Sequence, residues 1–202
     1  MTDTGRGIGV LRDLGRSYFN RRYTILFYML LFTMVASPVM AASGMSGTLI
    51  ESLLALCLLA AVMPVDAGNH RTALLAGMIS AWLARPLTAW FGHETLSAMT
   101  LGVWTLIGLF AAAAALRFAM RGVKVDAEHL FAALSAYLLA GIYFGLLYWA
   151  LEQVRPGMFT ASNFSRSGAI YFSFVTLATL GYGDIVPRAD VARGLAHGRL
   201  LG

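Results

Sequence analysis

Long apolar runs separated by short polar breaks set the plan of this chain. About 20 apolar residues are needed to cross roughly 30 Å of hydrocarbon as a helix, because every backbone N–H and C=O must be satisfied within the segment. Five stretches qualify: Tyr23 to Ala42, Leu49 to Met63, Thr72 to Phe91, Leu96 to Met120, and Leu130 to Leu151. The second is short and has to begin near Thr48 to span. The breaks at Ser43 to Gly47, Pro64 to Asn69, Gly92-His93 and Arg121-Gly122 carry turn chemistry. A sixth apolar stretch, Phe164 to Thr179, is too short to cross. It follows a polar segment with a Pro156-Gly157 turn, and Ser162 or Asn163 is placed to cap it, so it reads as a half-membrane helix.

Composition agrees with an all-α membrane protein. The 202 residues are 58% hydrophobic and 12% charged, and the mean hydropathy is +0.70, too apolar for an ordinary soluble domain.

Charge then orients the spans. Arg6, Arg12, Arg16, Arg21 and Arg22 form a basic arm over residues 1–22, with no cleavable leader pattern, so the N-terminus is expected in the cytoplasm. Alternation places Arg71 and the Arg117, Arg121, Lys124 group inside, while the loops 41–48 and 92–95 carry no Lys or Arg and lie outside. The net charge of +5 is thus mostly topological, and no nucleic-acid partner is expected. Five spans put the residues after Leu151 on the outer side, and the localisation implied is a multi-pass cell (inner) membrane protein.

The chemistry is concentrated in Thr176 to Asp184, TLATLGYGD. Gly181 and Gly183 flank Tyr182 after a Thr-rich apolar run, which suits backbone that turns its carbonyls toward an ion. The preceding half-membrane helix aims the negative end of its dipole at the bilayer centre, where a cation is favoured.

These residues resemble the potassium-channel pore family, in the pattern Thr-x-x-Thr-x-Gly-Tyr-Gly-Asp: Thr176, Thr179, Gly181, Tyr182, Gly183 and Asp184 all agree. Six such positions coincide by chance on the order of 10⁻⁸ per starting point. The resemblance implies that the carbonyls of Thr179, Leu180, Gly181 and Tyr182, with the Thr179 hydroxyl, replace water around a dehydrated K⁺. Gly183 completes that segment, Asp184 sits at its outer mouth, and Thr176, Tyr171 and Phe172 support it. Tyr171 and Phe172 stand where many members carry two tryptophans, so the indole hydrogen bond to the Asp184 position is not available from Phe172. Val175 stands where some members place a carboxylate.

The resemblance further implies passive K⁺ transport, no cofactor beyond K⁺ as the permeant ion, and a homotetramer or a heteromer with complete subunits. It divides the chain into the arm 1–22, a four-helix domain over 23–120, and a pore domain over 121–202. The pore domain comprises an outer helix 130–151, a pore helix 164–179, a filter 179–184 and a tail 188–202. Family members follow the filter with an inner helix. About fifteen residues remain after Pro187 and include four charged side chains, so that helix is expected to be absent and the chain alone non-conducting. Its alternative role is that of a non-conducting partner assembling with full-length channel subunits.

Other readings are weaker. The fourth span has no Lys or Arg between Leu96 and Leu116, which argues against a voltage sensor. Arg85 is expected to pair with Glu51 or to snorkel, since an unpaired charge there costs about 2.5 to 3.5 kcal/mol. The four histidines lack metal-ligand spacing, and Cys57 is the single cysteine, so no metal or disulfide framework is expected. Nothing resembles a nucleophile with its base or a phosphate loop, so no enzyme is expected.

Overall fold

The computed structural model of the chain describes residues 21–42, 52–57, 76–77, 79–80, 94–121, 126–161 and 164–198. Among them the architecture is all-helical apart from one isolated β-bridge, Phe159 with Pro187. Five helices are numbered here: α1 (Arg22–Ala42), α2 (Glu94–Arg121), α3 (Ala127–Val154), α4 (Arg166–Leu177) and α5 (Asp190–Gly198). Two helical segments, Ala98–Arg121 within α2 and all of α3, are long and apolar enough to cross a membrane. The expected second and third spans are described only as short helical pieces at 52–57, 76–77 and 79–80. The remainder of those spans, with Arg85 and Glu51, lies outside the described residues.

α3 is the hub: α1, α2 and α4 all pack on it. Its buried positions Ala132, Ser135, Ala136, Leu139, Ile142, Tyr143 and Leu146 recur at helical spacing. Ala111, Ala112 and Ala115 of α2 are buried in the same core, so the alanine run is a close-packing surface. α3 begins three residues earlier than the apolar pattern places it. Asp126 caps it by accepting the His129 amide at 3.0 Å, which recruits the polar turn 127–129 into the helix. At the other end α3 runs to Val154, just before Arg155-Pro156.

A cluster of aromatic side chains marks the junction at the start of α3. The Glu128 carboxylate accepts the Tyr23 amide at 3.1 Å and the Thr24 hydroxyl at 3.2 Å, thereby capping the first turn of α1 from another helix. The Phe118 ring stacks on His129 with centroids 4.9 Å apart, and the Arg22 guanidinium lies 4.8 Å from the Phe118 centroid.

Candidate functional site

α4 spans Arg166–Leu177, inside the expected 164–179. Its cap is Ser165, whose hydroxyl accepts the Gly168 amide at 3.1 Å. Ser162 and Asn163, the caps expected from the sequence, lie outside the described residues. The signal for Ser165 was present: a Ser directly before the helix whose side chain reaches N3.

Two sets of contacts hold α4 in place. Along α3, Gly141 and Gly145 leave room for Phe174 and Ile170. In a second cluster, Phe172 packs edge-on against Tyr148 at 5.2 Å and Phe159 at 5.4 Å, and Phe159 stacks on Phe164 at 4.1 Å. Phe172 is therefore core, and its neighbour Tyr171 points out of the core at 42% exposure. The Tyr171 phenol lies within electrostatic reach of the Asp184 carboxylate. Of the aromatic pair, the residue that faces Asp184 is therefore the first.

The end of α4 explains how the chain enters the filter-like segment. The Thr179 amide donates to Thr176 O at 3.1 Å, and the Leu180 amide donates to Val175 O at 3.0 Å. With Thr179 at φ +56°, this is the Schellman arrangement of a helix C-terminus, in which the left-handed position is customarily glycine. A β-branched residue there costs on the order of 1–2 kcal/mol. The amides of Thr179 and Leu180 point back at α4. Since the peptide bonds are trans and planar, the Thr179 carbonyl points away from the helix. Thr176 adds a hydroxyl bond to Phe172 O at 2.8 Å, keeping its side chain along the helix.

Positive φ then recurs at every second residue: Thr179 at +56°, Gly181 at +54° and Gly183 at +77°. Leu180 and Tyr182 between them are not positive. Positive φ alternating with negative φ allows successive carbonyls to turn toward one side, whereas a strand alternates them. Residues 179–184 are all exposed, with Leu180 at 55% and Tyr182 at 65%. A Cβ at Gly181 or Gly183 would meet nothing within 4 Å, so these glycines answer to backbone angle and not to crowding.

Beyond the filter-like segment the chain is strapped back to the segment that follows α3. Asp184 Oδ1 accepts the Ile185 amide at 3.0 Å. The Thr160 amide donates to Val186 O at 3.0 Å, the Val186 amide to the Thr160 hydroxyl at 2.9 Å, and the Arg188 amide to Met158 O at 2.7 Å. The turn preceding that strap has Gly157 at φ +90° and is held by Glu152, whose two carboxylate oxygens accept the Gly157 amide at 2.6 Å and the Met158 amide at 2.9 Å. α5 packs back through the fully buried Ala192. No group of His, Cys, Asp and Glu side chains suited to a metal occurs among the described residues.

Comparison with known proteins bears on this same region. Residues 133–200 match an ion channel family. Over 68 residues the chain is 44% identical to a two pore potassium channel c of rice (Oryza sativa subsp. japonica), covering 32% of this chain and 13% of that protein. The chain therefore corresponds to about an eighth of its relative's length. No solved structure matches it. The matched residues 133–200, from α3 through α5, are similar to an ion channel family and to a potassium channel.

Proposed function

We propose that this chain is a subunit of a potassium-selective pore that conducts K⁺ passively across a membrane. The observation that carries this reading is the alternation of backbone handedness at Thr179, Gly181 and Gly183, in a segment whose amides are engaged by α4 at its start. Carbonyls turned to one side offer a dehydrated cation what water offered it. The ion sites in this reading are the carbonyls of Thr179, Leu180, Gly181 and Tyr182 with the Thr179 hydroxyl. Thr176, Tyr171, Phe172 and Asp184 hold that segment in place.

One chain supplies one wall of such a path. The exposed Leu180 and Tyr182 side chains support assembly of several copies around an axis, four in this reading, where they would be covered by neighbours. The matched family and the rice relative support K⁺ as the ion. The two apolar helices support a membrane location, and the basic arm supports a cytoplasmic N-terminus.

The test is the melting temperature of the detergent-purified chain in K⁺ and in Na⁺ at equal ionic strength, beside ²²Na⁺ and ⁸⁶Rb⁺ uptake into liposomes. A bound ion stabilises the state that holds it. The chain is expected to melt higher in K⁺, and Gly181→Ala is expected to erase the difference while the helices stay folded. Equal melting in both salts, together with unselective uptake, would overturn the reading.

A further inference from the structure

The filter-like segment is a short length of backbone held between two anchors. At its start, the Thr179 and Leu180 amides are taken by Thr176 O and Val175 O at 3.1 and 3.0 Å. At its far end one residue, Thr160, takes both polar groups of Val186. The Thr160 amide donates to Val186 O at 3.0 Å, and the Thr160 hydroxyl accepts the Val186 amide at 2.9 Å. Between the anchors, Gly181, Tyr182 and Gly183 make no hydrogen bond among the described residues. The Ile185 amide goes only to its neighbour Asp184.

Thr160 is itself firmly seated. The residue before it, Phe159, is 2% exposed, stacks on Phe164, and lies edge-on to Tyr148 and to Phe172 of α4. Phe159 also bridges Pro187, and Met158 O accepts the Arg188 amide at 2.7 Å. Both anchors therefore stand on one aromatic cluster, α4 through Phe172 and the strap through Phe159. The span that residues 181–185 must cover is set by that packing.

We propose that Thr160 is a positioning residue of the ion path, whose two bonds to Val186 fix the far end of residues 179–184 and keep their carbonyls aligned for a dehydrated monovalent cation. A segment with no hydrogen bonds of its own keeps the shape that its ends impose. Bonds to the amide and to the carbonyl of one residue fix orientation as well as place. The left-handed backbone of Thr179, a non-glycine at φ +56°, persists only where its surroundings hold it, so slack at the far end lets the alternation relax. Groups ordered before the ion arrives bind it more tightly, because the cost of ordering them is not taken from binding. Any residue but proline supplies the amide at position 160. The acceptor for the Val186 amide is the hydroxyl, and that is what makes the position specific. The proposal rests on the potassium-pore reading and deepens it by naming a residue outside the motif on which ion affinity depends.

The experiment reads ion affinity, not stability alone. The detergent-purified full chain is titrated with K⁺ against Na⁺ at constant ionic strength, and the midpoint is the K⁺ concentration giving half of the maximal rise in melting temperature. Thr160→Val, which keeps the shape and loses the hydroxyl, is expected to raise the midpoint about fivefold. Thr160→Ser should stay within about twofold of the parent, because the acceptor for the Val186 amide remains. Ser135→Ala, at a fully buried position of α3, should lower the melting temperature in both salts and leave the midpoint in place. If Thr160→Val does not fold, Thr160→Ala carries the same comparison. An unmoved midpoint in the variant lacking the hydroxyl, even with a lower melting temperature, would assign Thr160 a structural role only and overturn the proposal. A Ser variant as impaired as the Val variant would overturn it too. A parent that melts alike in both salts is a different failure: it removes the potassium reading, and this proposal with it.

Discussion

Gly145 of α3 lies against the backbone of Ile170 in α4, so close that a Cβ there would stand 2.6 Å from the Ile170 Cα and 3.0 Å from its amide nitrogen. Main chain cannot swing aside as a flexible side chain can. The glycine therefore sets the distance between α3 and α4.

Gly145→Ala is expected to push α4 off α3 and to destabilise the fold by about 1–3 kcal/mol. Ala113→Ser, on an exposed position of α2, should change stability little. Thermal unfolding of both in the same detergent checks this. A neutral Gly145→Ala would mean that the two helices adjust freely.

Tyr171→Phe removes the phenol that faces Asp184. The expected result is faster amide exchange over residues 184–186 with unchanged exchange in α3. Asp184→Asn should do the same, and the double variant should add little to either, because both remove one interaction. Additive effects would show that the two side chains act independently.

Glu152 holds the turn between α3 and α4 through two amides. Glu152→Ala leaves those donors to water and is expected to cost about 1–2 kcal/mol, with Glu152→Gln keeping part of the loss back because one oxygen remains an acceptor. Exchange of the 157 and 158 amides, compared among the three proteins, reads the clamp directly.

The Asp126 cap gives a pH dependence. The His129 amide, and then its ring, hydrogen-bond the carboxylate and hold its pKa below the usual carboxylate value. A lowered folded-state pKa means stability that is present above the unfolded value and is lost as pH falls through the folded one. Asp126→Asn should therefore differ from the parent in melting temperature at pH 5–6. That difference should shrink below about pH 4. A difference that stays constant down to pH 3 would exclude the carboxylate as its source.

Much of this was legible along the chain. The apolar stretches at 23–42, 96–120 and 130–151 each correspond to a helix with similar bounds, because burying a continuous apolar surface as helix is a local property of the sequence. Phe164 to Thr179 announced the short helix α4, and Pro156-Gly157 the turn before it. What the linear pattern concealed were partnerships. Nothing in the order of residues says that Tyr171 faces Asp184 while Phe172 is buried, or that Thr160 pairs with Val186 26 positions away.

The sequence by itself determined the class of protein, its long helices and the handedness problem at Thr179, Gly181 and Gly183, since these follow from hydropathy and from which residues tolerate positive φ. Tertiary structure alone decided which way that segment faces. The carbonyls of Val175 and Thr176 at the end of α4 take up the first two amides of the segment, and trans peptide geometry then turns the Thr179 carbonyl outward. A motif can specify that carbonyls align; only the helix docked beside it, at a distance set by Gly145, gives them a direction.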